Sequence, residues 1–231
     1  MREIVLDTET TGLDPLDGHR LVEVGCIELI NRIPSGQTFH SYFNPERGMP
    51  AEAFAVHGLG DDFLKDKVFF AEVADDLIAF LGDAPLVIHN AAFDIGFLNA
   101  ELERAGRPPI ARERMVDTLL LARRKHPGGS NRLDDLCVRY AIDNSRRTKH
   151  GALLDAELLA EVYVELIGAR QAQLVLSQAA LPGRVAGEPI IIRQRLVPLV
   201  ATITAEERAA HQAFIATLGD NAIWRDYVSS D

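Results

Sequence analysis

The chain has 231 residues, 47% of them hydrophobic and 25% charged, a balance that suits one sizeable folded core with a small accessory segment and excludes a fibrous or disordered protein. No run approaches the roughly 20 apolar residues of a membrane span, and the start MREIVLDTET lacks the basic-then-apolar layout of a secretion signal, so a cytoplasmic location is expected. The formal charge of −10 argues against a uniformly basic surface, and the two cysteines, Cys26 and Cys137, stand too far apart for a CxxC pair, which removes a disulfide framework and a zinc site.

Residues 3–7 form a short apolar run that ends in acids before Thr-Thr-Gly-Leu, which predicts a buried strand leading into a turn. Strand-like runs at 20–31 and 37–44, joined by a turn signal at Ile33-Pro34-Ser35-Gly36, extend it into a meander. Apolar spacing near three and four then marks helices over 51–57, 70–81, 93–105, 132–140 and 153–167. Short strands at 86–88 and 115–117 each precede a helix, the β-then-α order of parallel strands. The expected fold class is α/β, a mixed five-stranded sheet flanked by helices over residues 1–168.

Residues 169–189 turn rich in Gln, Ala, Gly and Pro and read as a flexible linker. Order returns in an apolar run at 190–203 and a helix over 205–218, opened by Thr204 with Glu207 three residues on, a capping-box pattern. Forty residues of this kind bury little alone, so 190–231 is expected to bind a partner protein.

Three clusters carry chemistry. Asp7 and Glu9 lie two apart on a strand, whose period points both carboxylates to one side as a cation cradle, although a strand end also tolerates solvent-facing acids. In His89-Asn90-Ala91-Ala92-Phe93-Asp94 a strand gives way to a helix, and Asp94 in the first turn reads either as a ligand or as a complement to the helix dipole. In His150-Gly151-Ala152-Leu153-Leu154-Asp155 a five-residue helical step turns through about 140°, so His150 belongs on the loop before the helix, either as a general base or as a plain surface histidine. Several carboxylates without a soft ligand favour two hard cations, Mg²⁺ or Mn²⁺.

In this order and spacing, D-x-E, N-x-x-x-F-D and H-x-x-x-x-D resemble the DEDD exonucleases: Asp7, Glu9, Asp94 and Asp155 match their four acids, and His150 matches the histidine of the DEDDh branch. The resemblance implies a ribonuclease-H-like fold, divalent-metal dependence with the four acids as ligands and His150 as catalytic base, and release of nucleoside 5′-monophosphates from a 3′ end. Residues 50–58 resemble the segment with which proofreading epsilon subunits of bacterial DNA polymerase III hold the terminal nucleotide, mapping that role onto Glu52 and His57. Thr10 and Thr11, in the turn after the first acids, read either as backbone contacts to the same nucleotide or as a plain turn.

The same catalytic set serves exoribonucleases such as RNase T and oligoribonuclease, and the tail favours the proofreading branch. Residues 190–231, with the late Trp224, resemble the region that grips the polymerase catalytic (alpha) subunit. Gln171, Leu174 and Leu176 resemble a sliding-clamp-binding peptide. The implied substrate is a single-stranded or frayed DNA 3′ end, and the class-distinct alternative is a mainly structural replisome subunit. About twelve Lys or Arg against about five Asp or Glu between Arg104 and Lys149 offer a basic face for a phosphate backbone, or an ordinary solvated helical surface.

Overall fold

The computed structural model describes residues 1–169, 203–219 and Trp224. The chain divides into two compact units, Met1–Val175 and Leu176–Asp231.

The first unit is organised by β1 (Arg2–Thr10), whose Ile4, Val5 and Leu6 are fully buried because both faces of this central strand are covered. It pairs antiparallel with β2 (Leu21–Ile30), which pairs antiparallel with β3 (Ile33–Tyr42). On its other side β1 runs parallel to β4 (Leu86–Ile88), and β4 runs parallel to β5 (Met115–Asp117). The result is the predicted mixed five-stranded sheet, in the order β3-β2-β1-β4-β5.

One turn departs from the reading of the sequence. The hairpin closes at Asn31 and Arg32, both left-handed with φ of 52° and 68°, and the predicted turn residues Ile33 to Gly36 already belong to β3. Two consecutive left-handed residues match the twist of the flanking strands, and Pro34 is tolerated because β3 lies at the sheet edge, where a missing N–H is harmless.

The helices are α1 (Ala51–His57), α2 (Asp61–Leu64), α3 (Phe70–Leu81), α4 (Ala91–Arg104), α5 (Thr118–Lys125), α6 (Leu133–Tyr140) and α7 (Ala152–Leu166). Four-residue α2 is too short to show a period, which is why the sequence pattern misses it. Strand alternation divides the core in two. Ile4 and Leu6 pack with α3 and α4 through Leu77, Phe97 and Leu98, while Val5, Ile27 and Leu29 pack with α6 and α7 through Leu136, Leu159 and Val162. Each such side chain contributes about 1.5–3 kcal/mol on full burial. Cys26 and Cys137 are buried free thiols.

α7 lies lengthwise along β1. The Tyr163 hydroxyl donates to Glu3 Oε1 at 2.7 Å, and eight helical residues back from Tyr163 advance about 12 Å, close to the roughly 13 Å that four strand residues cover from Glu3 to Asp7. The helix therefore delivers Asp155 to the strand end that carries Asp7 and Glu9.

In the second unit, α8 (Ala205–Thr217) has the predicted capping box: the Glu207 N–H donates to Thr204 Oγ1 at 3.2 Å, and the Thr204 N–H donates to Glu207 Oε2 at 2.8 Å. Apart from Ala169 and Ile203, the expected linker, the clamp-type peptide at Gln171, Leu174 and Leu176, and the apolar run at 190–203 lie outside the described residues. No helix among the described residues is long and apolar enough to cross a membrane.

Candidate active site

The parallel strands β1, β4 and β5 end on the same side of the sheet, and loops at the carboxyl ends of such strands are where α/β folds build their sites. β1 contributes Asp7 and Glu9, whose partners on β2 are Gly25 and Glu23, and a register irregularity directly after Glu9 ends the regular pairing. α4 starts from Asn90, held left-handed at φ 68°, and brings Asp94 from the opposite helical layer. Thr8, pointing to that layer, donates its hydroxyl to Asp94 Oδ1 at 2.7 Å and fixes the carboxylate against β1. Two turns on, Glu101 takes a two-pronged bond from Arg20 at 2.6 and 3.0 Å, which ties α4 to the start of β2.

α7 supplies Asp155 in its first turn, and His150 sits on the preceding loop, 47% exposed. That loop is docked rather than loose. The His150 N–H donates to the Val56 carbonyl at 3.3 Å, and Lys149 Nζ lies 5.1 Å from the Phe54 ring centroid, so α1 braces it. His150 Nδ1 lies 3.2 Å from Asp155 Oδ2.

Asp7, Glu9, Asp94, His150 and Asp155 together line one cavity of about 660 Å³. One ligand atom each from Glu9, His150 and Asp155 fall within 4.8 Å of one another. Carboxylates this crowded resist ionisation. Burial, then the neighbouring Asp94, Glu9 and Asp155, push Asp7 well above its usual range. Burial, then Asp155, Glu23 and Asp94, raise Glu9 to about 8. Asp94 rises to about 7, chiefly through burial, despite the Thr8 hydroxyl. Asp155 alone goes the other way: burial works against its charge, but hydrogen bonds from His150 and Arg147 and the guanidinium charge outweigh it. An oxygen-rich cluster that repels itself unless positive charge enters is what a hard divalent cation fits.

A second cavity of about 520 Å³ adjoins the first through Thr8, Glu9 and Phe93, and is walled by Thr10, Thr11, Gly12, Glu52 and His57. Glu52 is exposed at its rim. His57 is buried; its Nδ1 accepts the Leu59 N–H at 3.0 Å, while its Nε2 has no hydrogen-bond partner among the described residues. Thr10 ends β1 rather than lying in the turn, and its hydroxyl is bonded to the Gly12 carbonyl at 2.6 Å. Thr11 donates its N–H to the Arg20 carbonyl and accepts the Arg20 N–H on its hydroxyl, both at 2.9 Å, so these groups serve the turn.

Several shaping residues carry no motif. Arg147 forks onto Asp155, Nε to Oδ1 and Nη2 to Oδ2, both at 2.6 Å, and reaches Asp134 through Nη1 at 2.7 Å. With Arg123 and Arg132 it brings part of the basic stretch 104–149 to the cavity wall. Buried Glu23 sits beneath Glu9 and is held by His40 at 2.7 Å. His89 is locked between Thr118 at 2.9 Å and the Asn131 carbonyl at 3.0 Å, and burial lowers its pKa. Gly25 faces the first turn of α7, and an isolated glycine inside a strand pattern was the readable sign of such close approach.

Residues 4–163 match the family described as Exonuclease. The chain is 47% identical over 222 residues to the DNA polymerase III subunit epsilon of Rickettsia conorii, covering 94% of this chain and 96% of that one. It is 44% identical over 237 residues to the subunit epsilon of Escherichia coli K12, covering 97% of each. Among solved structures, the nuclease domain of 3′hExo, a DEDDh family member bound to rAMP, aligns with a TM-score of 0.63 at 19% identity, over 73% of this chain and 92% of that chain. Exonuclease X in complex with 5′ overhanging duplex DNA aligns at 0.53 and 23% identity, over 72% and 91%. At these identities the structural matches show the shared fold.

Proposed function

The chain belongs to the Exonuclease family, in the branch of the DNA polymerase III epsilon subunits, and from this premise we propose that it removes mispaired 3′-terminal deoxynucleotides as 5′-monophosphates during replication. The observation that carries the proposal is the convergence of Asp7, Glu9, Asp94, Asp155 and His150 from three separate segments, β1, α4 and the loop running into α7, on one cavity. Two divalent cations, Mg²⁺ or Mn²⁺, would supply there the positive charge that lowers the barrier to in-line phosphodiester hydrolysis. Glu9 and Asp155 would hold one of them, Asp7 would face both, and Asp94 would serve the other.

His150 is the base in this reading. It stands at the cavity wall, partly open to water and within reach of Asp155, as a residue that takes a proton from the attacking water must. The adjoining cavity holds the terminal nucleoside: Thr10 and Thr11 form its wall, Glu52 its rim, and His57 offers an uncommitted buried Nε2. A cavity of about 520 Å³ admits an unpaired end, not a duplex, so the terminal pair must first open. A mismatch has already lost part of that pairing energy and should be cut first.

Digestion of 5′-labelled DNA with Mg²⁺, on matched and mismatched 3′ ends beside an RNA of the same sequence, tests this directly. A ladder shortening from the 3′ end, faster on the mismatch, is expected. Equal or faster attack on the paired end would overturn proofreading, and a strong preference for RNA would move the chain to the exoribonuclease reading.

The proposed partner of residues 190–231 is the polymerase catalytic subunit. In support, the second unit exposes Ile203, Phe214, Leu218 and Trp224, each between 46% and 60% accessible, a density of large apolar side chains that suits a protein contact. Gln171, Leu174 and Leu176 would add a weaker tethered contact to the sliding clamp. A chain ending at residue 189 should keep its 3′-end digestion and lose co-purification with the polymerase subunit. Retained co-purification would place the contact elsewhere.

A further inference from the structure

The acid cluster already holds one cation of its own. Arg147 is only 7% exposed, and its Nε and Nη2 meet the two oxygens of Asp155 side-on at 2.6 Å each. Such a fork takes up the lone pairs on the open edge of a carboxylate. The same Nη2 lies 2.7 Å from His150 Nδ1 and 3.3 Å from its Nε2. Arg147 therefore caps two of the three groups, Asp155 and His150, that converge with Glu9 within 4.8 Å.

We propose that Arg147 is a displaceable internal cation: it holds Asp155 and His150 while no divalent ion is present, and it withdraws from both when Asp155 is drawn into metal coordination. The proposal rests on the metal-binding reading of the acids. Guanidinium and a divalent ion compete for the same edge of Asp155, and two adjacent cations repel. The ion has the stronger claim because Asp7, Glu9 and Asp94 also face it. Withdrawal does not strand the guanidinium, because Asp134, 53% exposed and bonded to Nη1 at 2.7 Å, stays as its anchor at the same cavity wall. One displacement then frees both a metal ligand, Asp155, and the histidine beside it.

Nitrogen-15 spectra of the arginine Nε–H groups in the full chain test the displacement without perturbing the fold, the Arg147 resonance being assigned from Arg147→Lys. Metal-free protein should show a downfield, slowly exchanging Arg147 Nε–H, which shifts and loses protection along the same Mg²⁺ titration that raises Tm. A rise in Tm with an unchanged Arg147 signal overturns the displacement while leaving metal binding intact. No effect of Mg²⁺ on either overturns the metal reading and this one with it. Free-Mn²⁺ measurement by electron paramagnetic resonance adds a second test: Arg147→Gln removes the competitor and should bind Mn²⁺ about tenfold or more tightly. Unchanged or weaker binding would mean that Arg147 supports the site as a fixed neighbour of Asp155.

Discussion

Asp7→Asn combined with Glu9→Gln should slow 3′-end digestion about 10³-fold or more while raising the melting temperature of the metal-free protein above about pH 8. The loss follows from the role proposed for these carboxylates, since charge stabilisation by bound cations is worth several kcal/mol and each 1.36 kcal/mol is about a factor of ten. The gain follows from linkage. Glu9 is raised from 4.5 to about 8, Asp94 from 3.8 to about 7, and Asp7 well above 3.8, so the folded protein holds protons that the unfolded chain has released. Their protonated forms contribute stability below the ordinary carboxylate range, and it is lost as pH rises through the folded values. Asp155 has the opposite sign: its lowered pKa gives stability above the ordinary value of 3.8 that disappears as pH falls. Metal-free wild type should thus be most stable in mild acid and fall away toward about pH 8, with Mg²⁺ restoring the alkaline side. In the double variant only Asp94 remains raised, so the fall should be shallower and Mg²⁺ should restore little. Melting curves of the two proteins across pH, with and without Mg²⁺, decide it. A variant that loses stability with pH as steeply as wild type would show that these two side chains are not the source of the repulsion.

The sequence shows the acids far more readily than it shows what arranges them. Period two on β1 and period 3.6 on α4 and α7 are local properties, so Asp7, Glu9, Asp94 and Asp155 could be assigned to strand and helix starts without any tertiary information. The five strands and the long helices followed for the same reason. What stayed hidden depends on partners distant in the chain. Thr8 matters because Asp94 arrives 86 residues later, and Glu101 because Arg20 lies 81 residues earlier. Arg147 was visible only as one charge in a basic stretch, because nothing local distinguishes a guanidinium facing solvent from one buried against Asp155. The turn at Asn31 and Arg32 was misplaced because Pro34 and Gly36 are the stronger turn formers, and only the edge position of β3 lets them stand inside a strand.

Gly25→Ala should cost about 10²-fold in activity and about 1–3 kcal/mol in stability, although Gly25 touches no substrate in the proposed reaction. The residue pairs with Asp7 across β1 and β2, and α7 begins directly over it. A Cβ there would lie 2.3 Å from the Leu153 nitrogen and 2.4 Å from the Ala152 carbonyl carbon and the Leu153 Cα. These are backbone atoms of a helix, so no side-chain rotation relieves the clash, and the first turn of α7 must lift by about 1 Å to restore ordinary contact. Asp155 lies in that turn and His150 immediately before it, so both leave Asp7 and Glu9 together. A second glycine separates this effect from mere substitution. Gly96 on α4 has nothing within 4 Å of its added Cβ, so Gly96→Ala should be neutral or stabilise by up to about 1 kcal/mol through helix propensity. Thermal melts, Mn²⁺ affinity and digestion rates of the two variants give the comparison. Gly25→Ala should remain folded yet bind Mn²⁺ more weakly, because Glu9 and Asp155 no longer converge. If it instead kept wild-type metal affinity and rate, the seating of α7 on β2 would not set the spacing of the carboxylates. The catalytic geometry would then have to be held from the other layer, through Thr8 and Asp94.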